Sequence, residues 1–123
     1  MAHTRITSGY PLEDINGYCR AVRAGNTVYV AGTTARNDDL DLDAEGQARA
    51  ILLIIKEALE KAGSDLSHVV RSTIYVIDMK DADAVGRVHG EYFRDIKPGL
   101  TIVQVAGLFP KALLEIEITA VVP

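Results

Sequence analysis

Residues 18–32 read YCRAVRAGNTVYVAG and contain two runs of strand-compatible residues on either side of a turn signal. The first run, residues 18–24, alternates between two sets of side chains. The second, residues 27–31, is rich in valine, threonine and tyrosine, which favour strands. The Gly25-Asn26 pair between the runs is typical of a tight turn joining antiparallel strands. The stretch therefore predicts a β-hairpin.

The segments next to the hairpin carry weaker signals. Residues 4–8 are compatible with a short strand. Residues 9–17 contain glycine, proline and an Asn-Gly pair, which predict a loop. Gly32 is expected to end the second hairpin strand, and the aspartate-rich residues 37–43 are expected to form a polar loop.

Beyond residue 43, helix and strand signals alternate. Residues 44–62 carry apolar side chains at helical spacing, and Lys61-Ala62-Gly63 provides a suitable C-terminal end. Residues 81–96 have the same period and are stopped by Lys97-Pro98-Gly99. Three further segments have strand composition: residues 69–77, 100–106 and 113–122.

These elements predict one α+β domain over residues 1–123, with a mixed sheet and both helices on one face. The predicted strands are apolar on both faces, since Val28 and Val30 alternate with Tyr29 and Ala31. A sheet with one face in water should instead alternate between apolar and polar side chains. We therefore expect the second face to be covered by other copies of the chain in a closed homo-oligomer.

The composition of the 123 residues argues against several functional classes. A net charge of −4 does not suit binding to a nucleic-acid backbone. No apolar run approaches the roughly 20 residues that span a bilayer, so no membrane partner is expected. The first residues lack the pattern of a secretory signal, which favours a cytoplasmic location.

Motifs for metal or cofactor binding are not found in the sequence. The lone Cys19 excludes an intrachain disulfide, and the three histidines lie far apart along the chain. No CxxC, HExxH, P-loop or dinucleotide-binding pattern occurs. We therefore expect no metal and no organic cofactor.

Six segments spread over nearly the whole chain share a recognisable pattern. They are NGYCRAV (16–22), NTVYVAG (26–32), QAR (47–49), AGSDL (62–66), YVID (75–78) and EIE (115–117). In this order and spacing they resemble the RidA/YjgF family, also labelled endoribonuclease L-PSP. The resemblance implies a chorismate-mutase-like fold and a homotrimer with small-molecule clefts between neighbouring subunits.

The resemblance also implies a set of site residues. In the family's enamine/imine deaminases, a tyrosine, a backbone segment near a glycine, an arginine and a glutamate line the cleft. Tyr18, Gly32 and Glu117 stand at matching positions. Glu117 and a bound water would attack the C=N bond, and Tyr18 would orient the ligand. The family's arginine binds a substrate carboxylate through two parallel hydrogen bonds. In this chain Leu100, which has no charge, stands at that position.

Three more polar residues are candidates for the site. Arg20 shares a strand face with Tyr18, and we raise the hypothesis that it replaces the missing arginine; the alternative is a surface or interface salt bridge. Gln104 shares a strand face with Leu100 and is a candidate to hydrogen-bond a ligand. Glu115 lies on the same strand face as Glu117, about 7 Å away by strand rise. Such a pair can act as acid and base, or can simply face solvent.

Two residues with chemical potential are interpreted as structural. A lone Cys19 with no nearby histidine is expected to be a small packed side chain rather than a thiolate nucleophile. His89 falls on the apolar face of the second predicted helix, where we expect it to be packed and hydrogen-bonded.

The sequence leaves functions of different classes open. The first is a deaminase that hydrolyses a small imine or enamine, with a substrate less anionic than an amino-acid imine or held by another residue. The second is a non-catalytic trimer that binds a metabolite or acts on a partner protein. A third, RNA cleavage or inhibition of translation, follows from the family's other label and finds little support in an acidic chain.

Overall fold

The computed structural model describes residues 3–123, which contain six strands and three helices. The strands are β1 (Thr4–Ile6), β2 (Ala21–Ala24), β3 (Thr27–Thr33), β4 (Val69–Val76), β5 (Gly99–Gln104) and β6 (Leu114–Val121). The helices are α1 (Pro11–Asn16), α2 (Ala44–Lys61) and α3 (Ala82–Phe93). Short 3₁₀ turns precede α2, β4 and α3, at Asn37–Asp41, Leu66–His68 and Met79–Asp81.

All six strands form one mixed sheet in the order β1-β2-β3-β6-β4-β5. Neighbouring strands are antiparallel except β4 and β5, which are parallel and joined through α3. The hairpin of β2 and β3 is confirmed, with Ala24 paired with Thr27 across the turn. The C-terminal strand β6 lies at the centre of the sheet, between β3 and β4.

Both long helices cover the same face of the sheet, as predicted for this α+β class. Helix α2 presents buried side chains such as Ile51, Ile55 and Leu59, which pack on the strands. Helix α3 adds Val85, Val88 and Phe93 to the same core. Burial of these apolar side chains is the main driving force that holds the helices on the sheet.

Helix α2 has the ends that its sequence predicts. The Asp43 carboxylate accepts a hydrogen bond of 2.8 Å from the Gly46 amide, which satisfies one of the free donors of the first turn. The helix ends at Lys61, and Gly63 then adopts a φ of 88° that suits glycine. No helix within residues 3–123 is long and apolar enough to cross a membrane.

The prediction of a loop over residues 9–17 is wrong, because this segment contains α1. Pro11 begins the helix, since its fixed φ suits the first helical turn. Gly17, with a φ of 72°, ends it. The proline and the Asn-Gly pair therefore mark the two ends of a six-residue helix rather than a loop.

Gly32 does not end its strand, contrary to the prediction. Strand β3 continues to Thr33, and its register against β6 shifts between Val30 and Thr33. Ala31 and Gly32 on β3 there lie opposite the single residue Glu117 on β6, which is a β-bulge. The bulge turns the Gly32 carbonyl toward the buried Arg20 side chain.

The second face of the sheet is polar at its centre, which corrects the prediction of an apolar face. On β4, the exposed or half-exposed positions are Arg71, Thr73 and Tyr75. The corresponding residues of β6 are Glu115, Glu117 and Thr119, also on this face. We call this face, opposite the helices, the open face. Its polarity means that apolar burial alone does not explain what covers it.

Candidate active site

The candidate site lies on the open face, where β4 and β6 present rows of polar side chains. Thr73 pairs with Glu117 and Tyr75 pairs with Glu115. One step further along, Arg71 pairs with Thr119. Because paired residues on neighbouring strands point to the same face, these six side chains form one continuous surface.

A cavity of about 860 Å³ opens on this surface. The chain segment around α1 and β2 forms one side of it, and β3, β6 and β4 form the floor. Its lining includes Tyr18, Tyr29, Arg71, Thr73, Glu117 and Thr119. The structure thus brings together Tyr18 and Glu117, the two residues predicted to be catalytic.

The carboxylate of Glu117 is held by one strong hydrogen bond. The Tyr75 hydroxyl donates to Glu117 Oε1 at 2.6 Å. That hydrogen bond raises the pKa of Tyr75, and burial and the charges of Glu117 and Glu115 act in the same direction. The tyrosine therefore stays protonated and keeps the Glu117 carboxylate in a fixed orientation.

Glu115 occupies a different environment, although it shares the open face. Burial raises the pKa of Glu115, and the nearby charge of Glu117 raises it further, while the charge of Arg20 opposes both. Its carboxylate packs against Gly32, where a Cβ atom would approach Glu115 Cδ to 2.9 Å. Glycine at position 32 thus leaves room for this carboxylate beside β3.

Tyr18 is positioned by Arg20, whose side chain is only 2% exposed. Arg20 Nη2 donates to the Tyr18 hydroxyl at 3.0 Å, so the tyrosine's own proton remains available to a ligand. Arg20 Nη1 donates to the Gly32 carbonyl at 2.8 Å and to Thr33 Oγ1 at 3.1 Å. Its Nε faces Glu13 Oε2 at 3.4 Å. Four of its five donors are therefore engaged within the chain.

Glu13, from α1, is the buried counter-charge of this network. Burial by itself would raise the pKa of Glu13, but hydrogen bonds from the Ser8 hydroxyl and amide and the charge of Arg20 lower it overall. Arg36 Nη2 adds a longer contact of 3.9 Å to the same carboxylate. The unpredicted helix α1 therefore supplies the carboxylate that fixes Arg20, and through it Tyr18.

Leu100 and Gln104 lie apart from this cluster. They pair with Ser72 and Val76, which are buried beneath the helices, so both belong to the helix-covered face of the sheet. Leu100, on the edge strand β5, is 42% exposed. Gln104 Oε1 accepts a hydrogen bond from the Met79 amide at 2.9 Å. Within one chain, neither side chain faces Glu117, and their ligand-binding roles remain predictions.

The two residues interpreted as structural behave differently from each other. His89 is confirmed as a packed histidine: its Nε2 lies 3.0 Å from Ser72 Oγ and its ring centre 4.5 Å from that of Phe93. Burial lowers the pKa of His89. Cys19 is half-buried, with its Sγ 3.3 Å from the Ala21 carbonyl, and it lines the cavity together with Tyr18.

Sequence reasoning missed Arg71, Thr73 and Tyr75 as site residues. The signal was present in β4, where these three residues alternate with the buried Ser72, Ile74 and Val76. The same period-two alternation on β6 placed Glu115 and Glu117 on one face, and the family resemblance singled out Glu117. Applied to β4, it would have predicted a second polar row beside the glutamates.

The arrangement suits acid–base chemistry on a small molecule. It combines a fixed carboxylate, Glu117, with a neighbouring carboxyl group that holds its proton more readily than usual, Glu115. Tyr18 lines the same cavity as Glu117. Among residues 3–123, no group of three or more His, Cys, Asp or Glu side chains is arranged to hold a metal ion.

Comparison with known proteins gives consistent matches over nearly the full length. A family model described as endoribonuclease L-PSP matches residues 10–122. The chain is 36% identical over 124 residues to a RutC family protein of Pyrococcus horikoshii, covering 98% of each chain. It is 37% identical over 103 residues to the 3-aminoacrylate deaminase RutC of Acinetobacter baylyi, covering 80% of this chain and 82% of that protein.

A solved structure supports the same relationship. It is that of a Mycobacterium tuberculosis protein described as a member of the highly conserved YjgF/YER057c/UK114 family. The identity is 43% and the TM-score 0.91, and the alignment covers 98% of this chain and 100% of that one.

Proposed function

The chain belongs to the RidA/YjgF family, and from that premise we propose that it is a deaminase that hydrolyses the C=N bond of a small imine, or of an enamine through its imine tautomer. The observation that carries the proposal is the presence of Tyr18 and Glu117 in one cavity, with the Glu117 carboxylate fixed by Tyr75. A relative 37% identical to this chain has the name 3-aminoacrylate deaminase, which is an enamine-hydrolysing activity.

Glu117 is the general base of the proposed reaction. It takes a proton from water as the water oxygen bonds to the imine carbon, and the π electrons of the C=N bond move to nitrogen. The nitrogen takes up the proton that Glu117 removed from water, which gives a neutral carbinolamine. Glu117 then removes the proton of the carbinolamine hydroxyl and transfers it to the nitrogen as the C=O bond forms. The C–N bond then breaks to release ammonia and a carbonyl product. No oxidant, reductant or cofactor is consumed.

Tyr18 and the segment at Gly32 complete the proposed site. The Tyr18 hydroxyl accepts from Arg20, so its proton points away from that bond and can be donated to the ligand. Gly32 leaves space for the Glu115 carboxyl group, which burial and the charge of Glu117 give a raised pKa. These features support water attack close to Glu117, beside a carboxyl group that binds a proton more readily than an exposed glutamate.

We further propose that three copies assemble around the open faces, so that the cavity becomes a cleft between subunits. A large cavity that remains open on a single chain supports this arrangement. Sedimentation equilibrium should give a mass of about 40 kDa, three times the chain mass of 13.3 kDa. A mass near that of one chain would contradict the trimer.

A non-catalytic binding protein is the second candidate, favoured by Leu100. The position that carries the family's carboxylate-binding arginine holds an apolar side chain on the helix-covered face. In that case the cleft would bind a metabolite without turning it over. RNA cleavage is a weaker third candidate, because a net charge of −4 does not favour a polyanionic substrate.

Ammonia release across a panel of freshly generated imines and enamines, from anionic to neutral, tests the proposal. The deaminase account predicts turnover above the uncatalysed hydrolysis rate for at least one class. Binding of the carbonyl products without any turnover would support the second candidate instead. Degradation of RNA by the same preparation, without ammonia release, would support the third.

A further inference from the structure

We propose that Arg71 is the anion-binding residue of the cavity, and that the substrate is a small imine or enamine carrying a carboxylate. This inference rests on the proposed function for the identity of the reacting group. It assigns to β4 the task that the missing arginine at position 100 would perform from β5.

Pairing in the sheet brings Arg71 next to the reacting group. Arg71 pairs with Thr119 on β6, and Thr73 pairs with Glu117. Arg71 and Glu117 are therefore diagonal neighbours on one face, a separation of about 7 to 8 Å that long side chains can cover. Both line the same cavity.

Arg71 differs from the ion-paired arginines near the site because its guanidinium has no partner among residues 3–123. Among residues 3–123, the arginines in ion pairs are Arg20, Arg36, Arg49 and Arg87. Arg71 forms no hydrogen bond or ion pair with any of these described residues, although Glu117 is its diagonal neighbour. A guanidinium in a cavity with all its donors free is suited to bind an anion from outside the chain.

Tyr75 explains why Arg71 and Glu117 do not pair with each other. It lies on the opposite side of the Thr73–Glu117 pair from Arg71 and holds the Glu117 carboxylate at 2.6 Å. The Glu117 carboxylate is therefore held on the side away from Arg71. A molecule with a carboxylate next to its C=N bond could place one group on each residue.

The neighbourhood of Arg71 leaves room for such an anion. Its partner on β5 is Gly99, which has no side chain on the open face. Its partner on β6, Thr119, and its neighbour Thr73 add hydroxyl groups to the cavity lining. A planar guanidinium can bind a carboxylate through two parallel hydrogen bonds, which neither hydroxyl nor lysine can reproduce.

The test is binding of pyruvate, a small carboxylate with an adjacent carbonyl, compared with its neutral amide pyruvamide. Both are titrated into ¹⁵N-labelled protein and followed by NMR, for the wild type, Arg71→Gln and Arg94→Gln. Arg94, at the C-terminal end of α3, lies outside the cavity and serves as the matched loss of one positive charge. We expect Arg71→Gln to weaken pyruvate binding roughly 10- to 100-fold and to leave pyruvamide binding within about twofold.

Two further variants sharpen the assignment. Arg71→Lys keeps the positive charge but loses the paired N–H donors of the planar guanidinium. Its pyruvate affinity should therefore fall between those of wild type and Arg71→Gln. Arg5→Gln removes a second arginine that lines the cavity from β1, three strands away from β6. Loss of pyruvate binding in Arg5→Gln with retention in Arg71→Gln would overturn the proposal.

Equal affinity of the wild type for pyruvate and pyruvamide would also overturn it. These binding measurements do not depend on turnover, so they separate the two proposals. Arg71-dependent pyruvate binding without ammonia release from any imine would contradict the deaminase and leave the anion site in place. Ammonia release that is unchanged in Arg71→Gln on anionic imines would contradict the anion site alone.

Discussion

Glu115 and Glu117 lie two residues apart on β6 and face the same way, yet their surroundings differ. Glu117 is exposed and held by the Tyr75 hydroxyl, whereas Glu115 is half-buried against Gly32. The alternation of the sequence predicted their common face. It could not predict which carboxyl would be desolvated, because that depends on β3 and on Arg20, which come from distant parts of the chain.

The raised pKa of Glu115 predicts a pH-dependent effect on stability. Its folded-state pKa lies above the unfolded value, so ionisation destabilises the folded state as the pH rises from about 4.3 through the folded value. Glu115→Gln cannot ionise and should therefore raise the free energy of unfolding at pH 7. At pH 3.5, where the wild-type carboxyl is protonated in both states, the difference should vanish.

Urea denaturation at both pH values, at one fixed protein concentration, measures this effect. Glu57→Gln is the matched control, since Glu57 is an exposed glutamate on α2. A stability gain for Glu115→Gln that is equal at both pH values would contradict the assignment to ionisation.

Arg20 was predicted as a possible ligand anchor, with a surface or interface salt bridge as the alternative. The structure gives it a buried ion pair with Glu13, whose side chain is 4% exposed. Arg20→Met would leave the Glu13 carboxylate buried beside only Ser8 and the more distant Arg36. We expect a loss of roughly 3 to 5 kcal/mol in the free energy of unfolding.

Chemical denaturation of Arg20→Met against Arg94→Gln checks that estimate. The exposed Arg94 has no ion pair among residues 3–123, so its replacement should leave the free energy of unfolding nearly unchanged. Similar stabilities for the two variants would show that the Arg20–Glu13 pair contributes little to folding.

At the scale of elements, α1 is the part of the fold that the sequence did not predict. Its six residues are too few to show a helical period, and its proline and glycine are typical of both loops and helix ends. The long helices α2 and α3 were predicted because each has several turns of apolar repeats. The strands were found from their composition, with boundaries that differ from the prediction by two residues or fewer, apart from the start of β2, which differs by three.

Gly17 ends α1 in the left-handed region, with φ 72° and ψ 41°. A Cβ atom there would meet nothing within 4 Å, so Gly17→Ala changes only the cost of that backbone conformation. We expect a loss of about 1 to 2 kcal/mol in the free energy of unfolding, measured by urea denaturation.

Gly107 offers a matched control for this substitution. It also has open space around it, but its φ is not in the left-handed region. Gly107→Ala should be neutral or should stabilise the fold by up to about 1 kcal/mol. If both variants lost the same stability, the conformation of Gly17 would not be the cause.

At the scale of the whole molecule, family membership and the α+β architecture agree with what the sequence predicted. The open face does not: Val28, Val30, Tyr29 and Ala31 suggested an apolar surface, but the central strands carry Arg71, Thr73, Glu117 and their neighbours there. A polar face with a cavity of about 860 Å³ suits a cleft that binds a small polar molecule. The edge strand β5, where Leu100 lies, contributes little to it within one chain.

General-base catalysis by Glu117 is tested most directly by kcat/KM for ammonia release from an anionic imine, such as that of pyruvate. The values are compared for wild type, Glu117→Gln and Glu57→Gln. General-base catalysis by Glu117 predicts a fall of about 10²- to 10⁴-fold in Glu117→Gln, with Glu57→Gln unchanged from wild type. Wild-type kcat/KM in Glu117→Gln would contradict the proposed reaction at this site.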